Sequence, residues 1–246
     1  MTRVLLITPT YQEAQNIEEF LRRARAGLPE ADILVVDDNS PDGTADLADA
    51  AALNLGKIEV LRRPGKAGLG NAYRAGFAIG LARGYDILVQ IDADLSHDPA
   101  VLPQLIAALE GGADLAIGSR YVPGGSIPNW PARRRALSKY GNAYTGFMLR
   151  TGIADATAGF RAYKAETLLL IDYSATRSKG YGFQIETAYR VAKTGKRIVE
   201  VPIIFTDRVR GHSKMSLAVM VEEMLMVSWW GIRDHIFRRS FYQRSE

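Results

Sequence analysis

Apolar and polar positions follow two rhythms along the first half of the chain. Val4 to Thr8 is a short leucine and β-branched run that predicts a strand ending in Pro9-Thr10-Tyr11-Gln12-Glu13. From Asn16 to Ala26 the apolar residues fall at helical spacing, at Ile17, Phe20, Leu21 and Ala24. Ile33 to Val36 predicts a second strand, Ala-rich Thr44 to Leu53 a helix, Ile58 to Leu61 a third strand and Leu69 to Leu81 a further helix. Ile87 to Ile91, a helix from Pro99 to Leu109, and a strand from Leu115 to Gly118 complete this half. Strand and helix alternate throughout, which predicts an α/β fold with a parallel, doubly wound sheet. Val122 to Pro131 holds Pro123, Gly124, Gly125, Pro128 and Pro131 and predicts a mobile loop inside one domain. Val199 to Phe205 predicts another strand, and Ser216 to Phe237 a helix that is apolar on nearly every side.

With 246 residues and 47% hydrophobic positions, the chain can bury a sizeable core in one large or two small domains. It divides into a main domain, 1–215, and a C-terminal helix with a basic tail, 216–246. Cysteine is absent, which excludes disulfides, thiolate metal sites and a cysteine nucleophile. The N-terminal apolar run is too short for a signal peptide, and no stretch reaches the ~18 apolar residues of a spanning helix. The expected location is the cytoplasm, peripheral on the cytoplasmic face of a membrane. A net charge of +4 suits anionic small molecules or an anionic lipid surface. Zinc-finger spacing and RNA-binding signatures are missing, so nucleic acid is not an expected partner.

The strand at Ile87 runs into Asp92-Ala93-Asp94. In an open α/β sheet the ligand crevice lies beyond the carboxyl ends of the strands. Two acids one residue apart at that rim can hold a hard divalent cation, Mg²⁺ or Mn²⁺, whose shell is completed by water and substrate phosphate. Acids at a strand end can also simply cap the next helix. Here Asp98-Pro99 already supplies a cap and a first turn. Asp37 and Asp38 end the second strand as Asp92 and Asp94 end the fourth, and Asp37 is the candidate for nucleotide contact. Asp38, Asn39 and Asp42 read as structural, with Asp42-Gly43 a turn. Pro9, Tyr11 and Glu13 share the rim; Tyr11 offers a stacking face and Glu13 an acceptor. Gly68-Leu69-Gly70 lacks the third glycine of a dinucleotide fingerprint, and Lys66 is not followed by Ser or Thr as in a P-loop. The segment around Lys66 stands either as a plain turn or as a helix start facing an anion.

The motifs P-T-Y-Q-E, V-V-D-D-N-S-P-D-G-T, G-L-G-N-A-Y and D-A-D-L-S-H-D-P, in this order, resemble family 2 inverting glycosyltransferases with a GT-A fold. G-S-R-Y-V-P-G-G, A-T-A-G-F-R-A-Y, G-Y-G-F-Q-I-E and D-R-V-R-G-H-S-K-M-S narrow the resemblance to dolichol-phosphate, or polyprenol-phosphate, mannose synthases. It spans about Thr8 to Ser216. It implies a GDP-mannose donor, a polyprenyl phosphate acceptor and Mg²⁺ or Mn²⁺. It implies further that Pro9, Tyr11, Glu13 and Asp37 bind the guanosine, that Asp92 and Asp94 bind the metal, and that Ala93 lies close to the donor. Ser96 departs from the family, whose members often carry Gln there as a further metal ligand; a hydroxyl is shorter and weaker.

Arg120 ends the strand begun at Leu115, on the same rim. Beyond Trp130-Pro131, Arg134, Ser138 and Asn142 are spaced i, i+4, i+8 and share one helix face. A guanidinium and a hydroxyl one turn apart can share a phosphate, although a surface arginine reads the same way in sequence; the resemblance places an Arg and a Ser here as the lipid-phosphate site. Asp207 to Lys214 is a basic loop in which the resemblance matches Arg208 and Lys214 to the donor diphosphate. His212 is a weak choice for a base. The acceptor is itself an ionised phosphate, so no general base is required. In the C-terminal helix, Trp229 and Trp230 with Arg238, Arg239 and Arg244 suit a lipid boundary. Packing on the domain and seating a membrane-embedded partner subunit are equally compatible with its pattern. Polyprenyl-phosphate glucose synthesis from UDP-glucose and non-catalytic nucleotide-sugar binding are the alternative functions.

Overall fold

The computed structural model describes residues 2–178, 180, 182–207 and 217–237. Arg208, His212, Lys214, Ser216, Arg238, Arg239 and Arg244, all named above, lie outside them. The elements in chain order are β1 Val4–Thr10, α1 Ile17–Gly27, β2 Asp32–Asp37, α2 Thr44–Leu55, β3 Ile58–Arg62, α3 Leu69–Ala82 and β4 Ile87–Gln90. They continue with α4 Leu102–Glu110, β5 Leu115–Ser119, α5 Ala132–Leu149, β6 Arg161–Lys164, α6 Ala165–Leu170, α7 Gly182–Lys193, β7 Ile198–Pro202 and α8 Leu217–Phe237. The strands form one sheet in the order β3-β2-β1-β4-β6-β5-β7.

Period-two alternation on the strands feeds two apolar layers. Leu6, Ile33, Val35 and Val89 face α1 and α4, packing with Phe20, Leu21, Leu102 and Leu105. Leu5, Ile7, Leu34, Val36 and Leu88 face the opposite side with Tyr73, Phe77 and Phe183. Close approach of α3 depends on glycine: a methyl group at Gly76 would stand 2.5 Å from Ile7 Cγ2.

The mostly parallel sheet includes one reversed strand, β6, which is antiparallel to both β4 and β5. Its sequence, R-A-Y-K, has too few apolar residues to announce a strand. The consequence for the site is direct. Gln90 at the end of β4 pairs with Arg161 at the start of β6, so the segment entering β6 arrives at the same sheet edge as the acids leaving β4. The strand order also reverses between β1 and β4, the place where open sheets leave a crevice.

Smaller differences have local causes. Pro99–Val101 forms a 3₁₀ turn before α4, opened by Asp98, whose carboxylate accepts the Ala100 N–H at 3.0 Å. The strand expected to reach Phe205 stops at Pro202, because its partner β5 ends at Ser119. The chain then pairs with the 122–131 loop, Phe205 N donating to Ser126 O at 2.9 Å and Ser126 N to Ile203 O at 3.0 Å. These bonds strap down a loop the sequence reads as mobile.

α8 packs on the domain. Val227 joins Leu149, Ile185 and Tyr189 in a small core, and Trp230 stacks on Tyr189 with ring centroids 5.6 Å apart. Asp234 accepts the Tyr189 hydroxyl and pairs with Lys193 at 2.7 Å. Its outer side leaves Val221, Met224, Leu225, Trp229 and Ile232 exposed. Among the described residues no helix is long and apolar enough to cross a membrane.

Candidate active site

A cavity of about 820 Å³ opens at the carboxyl end of β4, between the start of β6, α5, α7 and α8. Asp92 and Asp94 form its floor. Tyr73 of α3 donates its hydroxyl to Asp92 Oδ1 at 2.9 Å. Burial first, and then the neighbouring Asp92 charge, push the Tyr73 phenol well above its ordinary value, so it stays a neutral donor. Asp94 is buried and accepts the Ser96 N–H at 3.0 Å across a tight turn. Leu95 between them has φ of +61°, a left-handed conformation unusual for leucine, held by Thr206, whose N–H bonds Ser96 O at 3.1 Å. Such local strain is common where side chains must be aimed.

The donor set suits a hard cation: two carboxylates, with no nitrogen or sulfur ligand in the D-A-D turn. Among the described residues no cluster of three or more acidic or imidazole side chains is placed to hold a metal ion; a hard dication on two carboxylates completes its shell with water and phosphate. Ser96 Oγ, buried at the cavity wall, has no hydrogen-bond partner among the described residues. That orphaned oxygen fits a metal-bound water, so Asp92 and Asp94, with Ser96 behind them, fit Mg²⁺ or Mn²⁺.

Arg120 and Arg134 stand across the cavity. Arg120 follows directly on β5 and lines the cavity. It is held bidentately by buried Asp155, Nε to Oδ2 at 2.7 Å and Nη2 to Oδ1 at 2.6 Å, and its Nη2 also reaches Thr157 Oγ1 at 2.8 Å. Burial works to raise Asp155, but the Arg120 charge and hydrogen bonds prevail and hold it below the usual carboxylate range. Arg134 lies over the Trp130 ring at 3.9 Å and pairs with Asp207 at 3.0 Å; Trp130 Nε1 donates to the same carboxylate at 3.0 Å. Arg134 and Ser138 both line the cavity, and Asn142, one turn on, bonds Thr157 Oγ1 at 3.1 Å. The helix face read from the i, i+4 spacing therefore points into the site.

Pro9, Tyr11, Glu13, Asp37 and Lys66 sit beside the cavity rather than in its lining, at the ends of β1 and β2 and in the loop before α3. Lys66 Nζ covers the Tyr11 ring at 4.5 Å. Glu13 accepts the Asn16 amide at 2.9 Å. Asp37 is buried and accepts from Thr10 Oγ1, Ser40 N and Ser40 Oγ at 2.6–2.8 Å, tying the loops after β1 and β2 together. Asp38 has the structural role its position suggested, gripping Arg63 at 2.6 Å and the Ala67 N–H at 3.3 Å; burial outweighs Arg63 and raises its pKa.

Several site residues have no signal of their own in sequence. Tyr73, Thr157 and Gln184 lie within the quoted motifs, yet nothing in their spacing says which way they face. Arg161 is fully buried, donating to the Ala156, Ala158 and Gln184 carbonyls at 2.7–2.8 Å. It fastens the β6 entry to the first turn of α7. Gln184, on that turn, is 1% exposed and neither amide atom has a partner among the described residues. An unsatisfied buried amide costs about 1–3 kcal/mol.

The sheet has the GT-A arrangement, and residues 5–169 match the model of glycosyl transferase family 2. The chain belongs to that family. It is 53% identical over 237 residues to a polyprenol monophosphomannose synthase of Mycolicibacterium smegmatis, covering 96% of this chain and 89% of the relative. It is 52% identical over 230 residues to an undecaprenyl-phosphate mannosyltransferase of Micrococcus luteus, covering 94% of each. Among solved structures, the mannosyltransferase PcManGT from Pyrobaculum calidifontis in complex with GDP-Man and Mn²⁺ shares the fold at TM-score 0.64 and 20% identity, over 94% of this chain and 64% of that one. Glucosyl-3-phosphoglycerate synthase from Mycobacterium tuberculosis, in complex with Mn²⁺, UDP and product, aligns at TM-score 0.61 and 20% identity, over 95% and 79%.

Proposed function

We propose that this enzyme transfers mannose from GDP-mannose to a polyprenyl phosphate and inverts the anomeric carbon. The observation that carries the reading is the single cavity that sets Asp92 and Asp94 against Arg134 and Ser138, with Leu137, Tyr140 and Met224 at its wall. One side suits a nucleoside diphosphate on a cation, the other a phosphate with an apolar tail. The names of the two bacterial relatives support the same acceptor class, and the bound GDP-Man and Mn²⁺ of the archaeal neighbour support the donor.

Pro9, Tyr11, Glu13 and Asp37 hold the guanosine, Ala93 lies beside the donor, and Lys66 leaves the Tyr11 face as the base stacks. Arg134 and Ser138 orient the lipid phosphate. One of its oxygens attacks the sugar C1 opposite the GDP oxygen; the new C–O bond forms as the old one breaks, and GDP departs with the electron pair. A phosphate monoester with a second pKa near ~6 is already ionised at neutral pH. Arg120, locked by Asp155, keeps a fixed positive charge beside the transfer, and Arg208 and Lys214 close on the diphosphate. Asp92 and Asp94 would hold Mg²⁺ or Mn²⁺, which when bound would supply Lewis-acid stabilisation to the leaving group. The exposed apolar residues of α8, with Leu137, Tyr140 and Phe147 of α5, form the face that meets the membrane from the cytoplasmic side.

Purified enzyme given polyprenyl phosphate and radiolabelled GDP-mannose or UDP-glucose is expected to yield labelled lipid from the first donor; label entering only from UDP-glucose overturns the donor assignment. In the same assay Arg134→Ala is expected to raise the KM for polyprenyl phosphate about 10- to 100-fold, the equivalent of roughly 1.5–3 kcal/mol for a charge-assisted bond. Unchanged acceptor saturation removes Arg134 from the acceptor site.

A further inference from the structure

We propose that Gln184 reads the hydroxyl pattern of the donor sugar and sets the enzyme's choice of hexose. This rests on the mannosyl-transfer reading and adds to it a residue for the transferred sugar.

Gln184 is built into the wall of the cavity. Its backbone is fixed by Arg161, which donates to its carbonyl at 2.7 Å. Its carboxamide is 1% exposed and unpartnered among the described residues. It stands close to the metal acids: a methyl group on Gly159 would lie 3.4 Å from Asp92 Oδ2 and 3.8 Å from Gln184 Nε2. Carboxylate and carboxamide therefore border one small gap, kept open by the missing side chain of Gly159.

The cavity groups already assigned to the reactants serve their charged parts. Asp92 and Asp94 suit a cation, while Arg134, Ser138 and the Arg120 pair suit a phosphate. A carboxamide is neutral at every pH, so it neither takes a proton from the acceptor nor offsets the charge of the diphosphate. It presents one acceptor and two donor positions, which matches vicinal hydroxyls. Two pieces of the substrates are neutral and polyhydroxylated, the ribose and the hexose; the ribose goes with the guanosine at the ends of β1 and β2, so the hexose is the one that lies between the diphosphate on the acids and the phosphate on the arginines. An orphaned amide at that place is satisfied when the sugar arrives. A site built to bond a hydroxyl rejects analogues that misplace it, because its own polar groups are then left unpaired.

The test compares wild type with Gln184→Met and Gln184→Asn, full length in detergent, with polyprenyl phosphate and either GDP-mannose or its C2 epimer GDP-glucose. The expected result is a fall in kcat/KM for GDP-mannose of about 10- to 100-fold, with the preference over GDP-glucose collapsing toward one. Affinity for GDP, which lacks the sugar, is expected to stay within about twofold by calorimetry. Tm of the ligand-free Gln184→Met protein is expected to hold or rise, since replacing an unpaired buried polar group by an apolar one of similar shape is near neutral. A structural role predicts the opposite: a lower Tm and equal losses for both donors and for GDP. If Gln184→Met is poorly folded, Gln184→Asn, which keeps the amide but falls one methylene short, carries the comparison. Retained preference in either folded variant overturns the inference alone. Wild-type inactivity on GDP-mannose overturns the functional reading and this inference with it.

Discussion

Asp94→Asn is expected to lower kcat for mannosyl transfer by about a hundredfold to a thousandfold, the scale of removing one group that stabilises developing charge. The substitution keeps the side chain's shape and its acceptor oxygen for the Ser96 N–H, so Tm is expected to change little. What disappears is a negative charge at the place proposed for the dication and the departing diphosphate. Titration with Mn²⁺ separates this from misfolding: the variant is expected to need far more metal for its residual rate, while its far-UV spectrum matches wild type. Full turnover in the variant, or full turnover of wild type in excess chelator, removes the paired acids from the reaction.

The largest effect on stability is expected at Asp155. Asp155→Asn leaves the Arg120 guanidinium buried beside aromatic rings without its countercharge. Breaking one side of a buried ion pair typically costs about 3–5 kcal/mol. The urea midpoint is expected to drop accordingly, with the m-value unchanged. The pH dependence follows from the lowered pKa of Asp155 in the folded chain. The unfolded chain binds the proton more readily, so this stabilisation is complete above the ordinary Asp value, roughly 4. It is lost as pH falls further, through the depressed folded value. Wild type is expected to lose Tm steeply below roughly pH 4, and Asp155→Asn to start lower and lose less over the same range. Parallel acid limbs for the two proteins contradict the pairing.

The parts legible in the chain are those whose physics is local. β1, β2 and β4 are built on runs of Val, Leu and Ile bounded by turn residues, and a sheet buried on both faces requires such runs. Asp92 and Asp94 are legible for the same reason, since a strand end followed by D-x-D declares both position and chemistry. β6 hides because Arg161 and Lys164 occupy half of it; Arg161 is buried only because carbonyls of the 156–158 segment and of α7 converge on it. The Arg120–Asp155 pair spans 35 residues and the whole of α5, a tertiary fact that spacing does not contain. α7 buries Gln184, Glu186 and Thr187 among its apolar residues, so polarity there marks tertiary partners and the cavity rather than solvent.

The Trp130–Arg134–Asp207 cluster has a consequence for selectivity among lipids. A bilayer offers a vast excess of phosphodiester headgroups, each with a single negative charge, against few monoester acceptors. Arg134 already rests on an internal monoanion, Asp207, so an incoming diester gains little by exchanging places with it. On the acceptor role proposed for Arg134, a doubly charged monoester gains more from the same exchange than a phospholipid headgroup does.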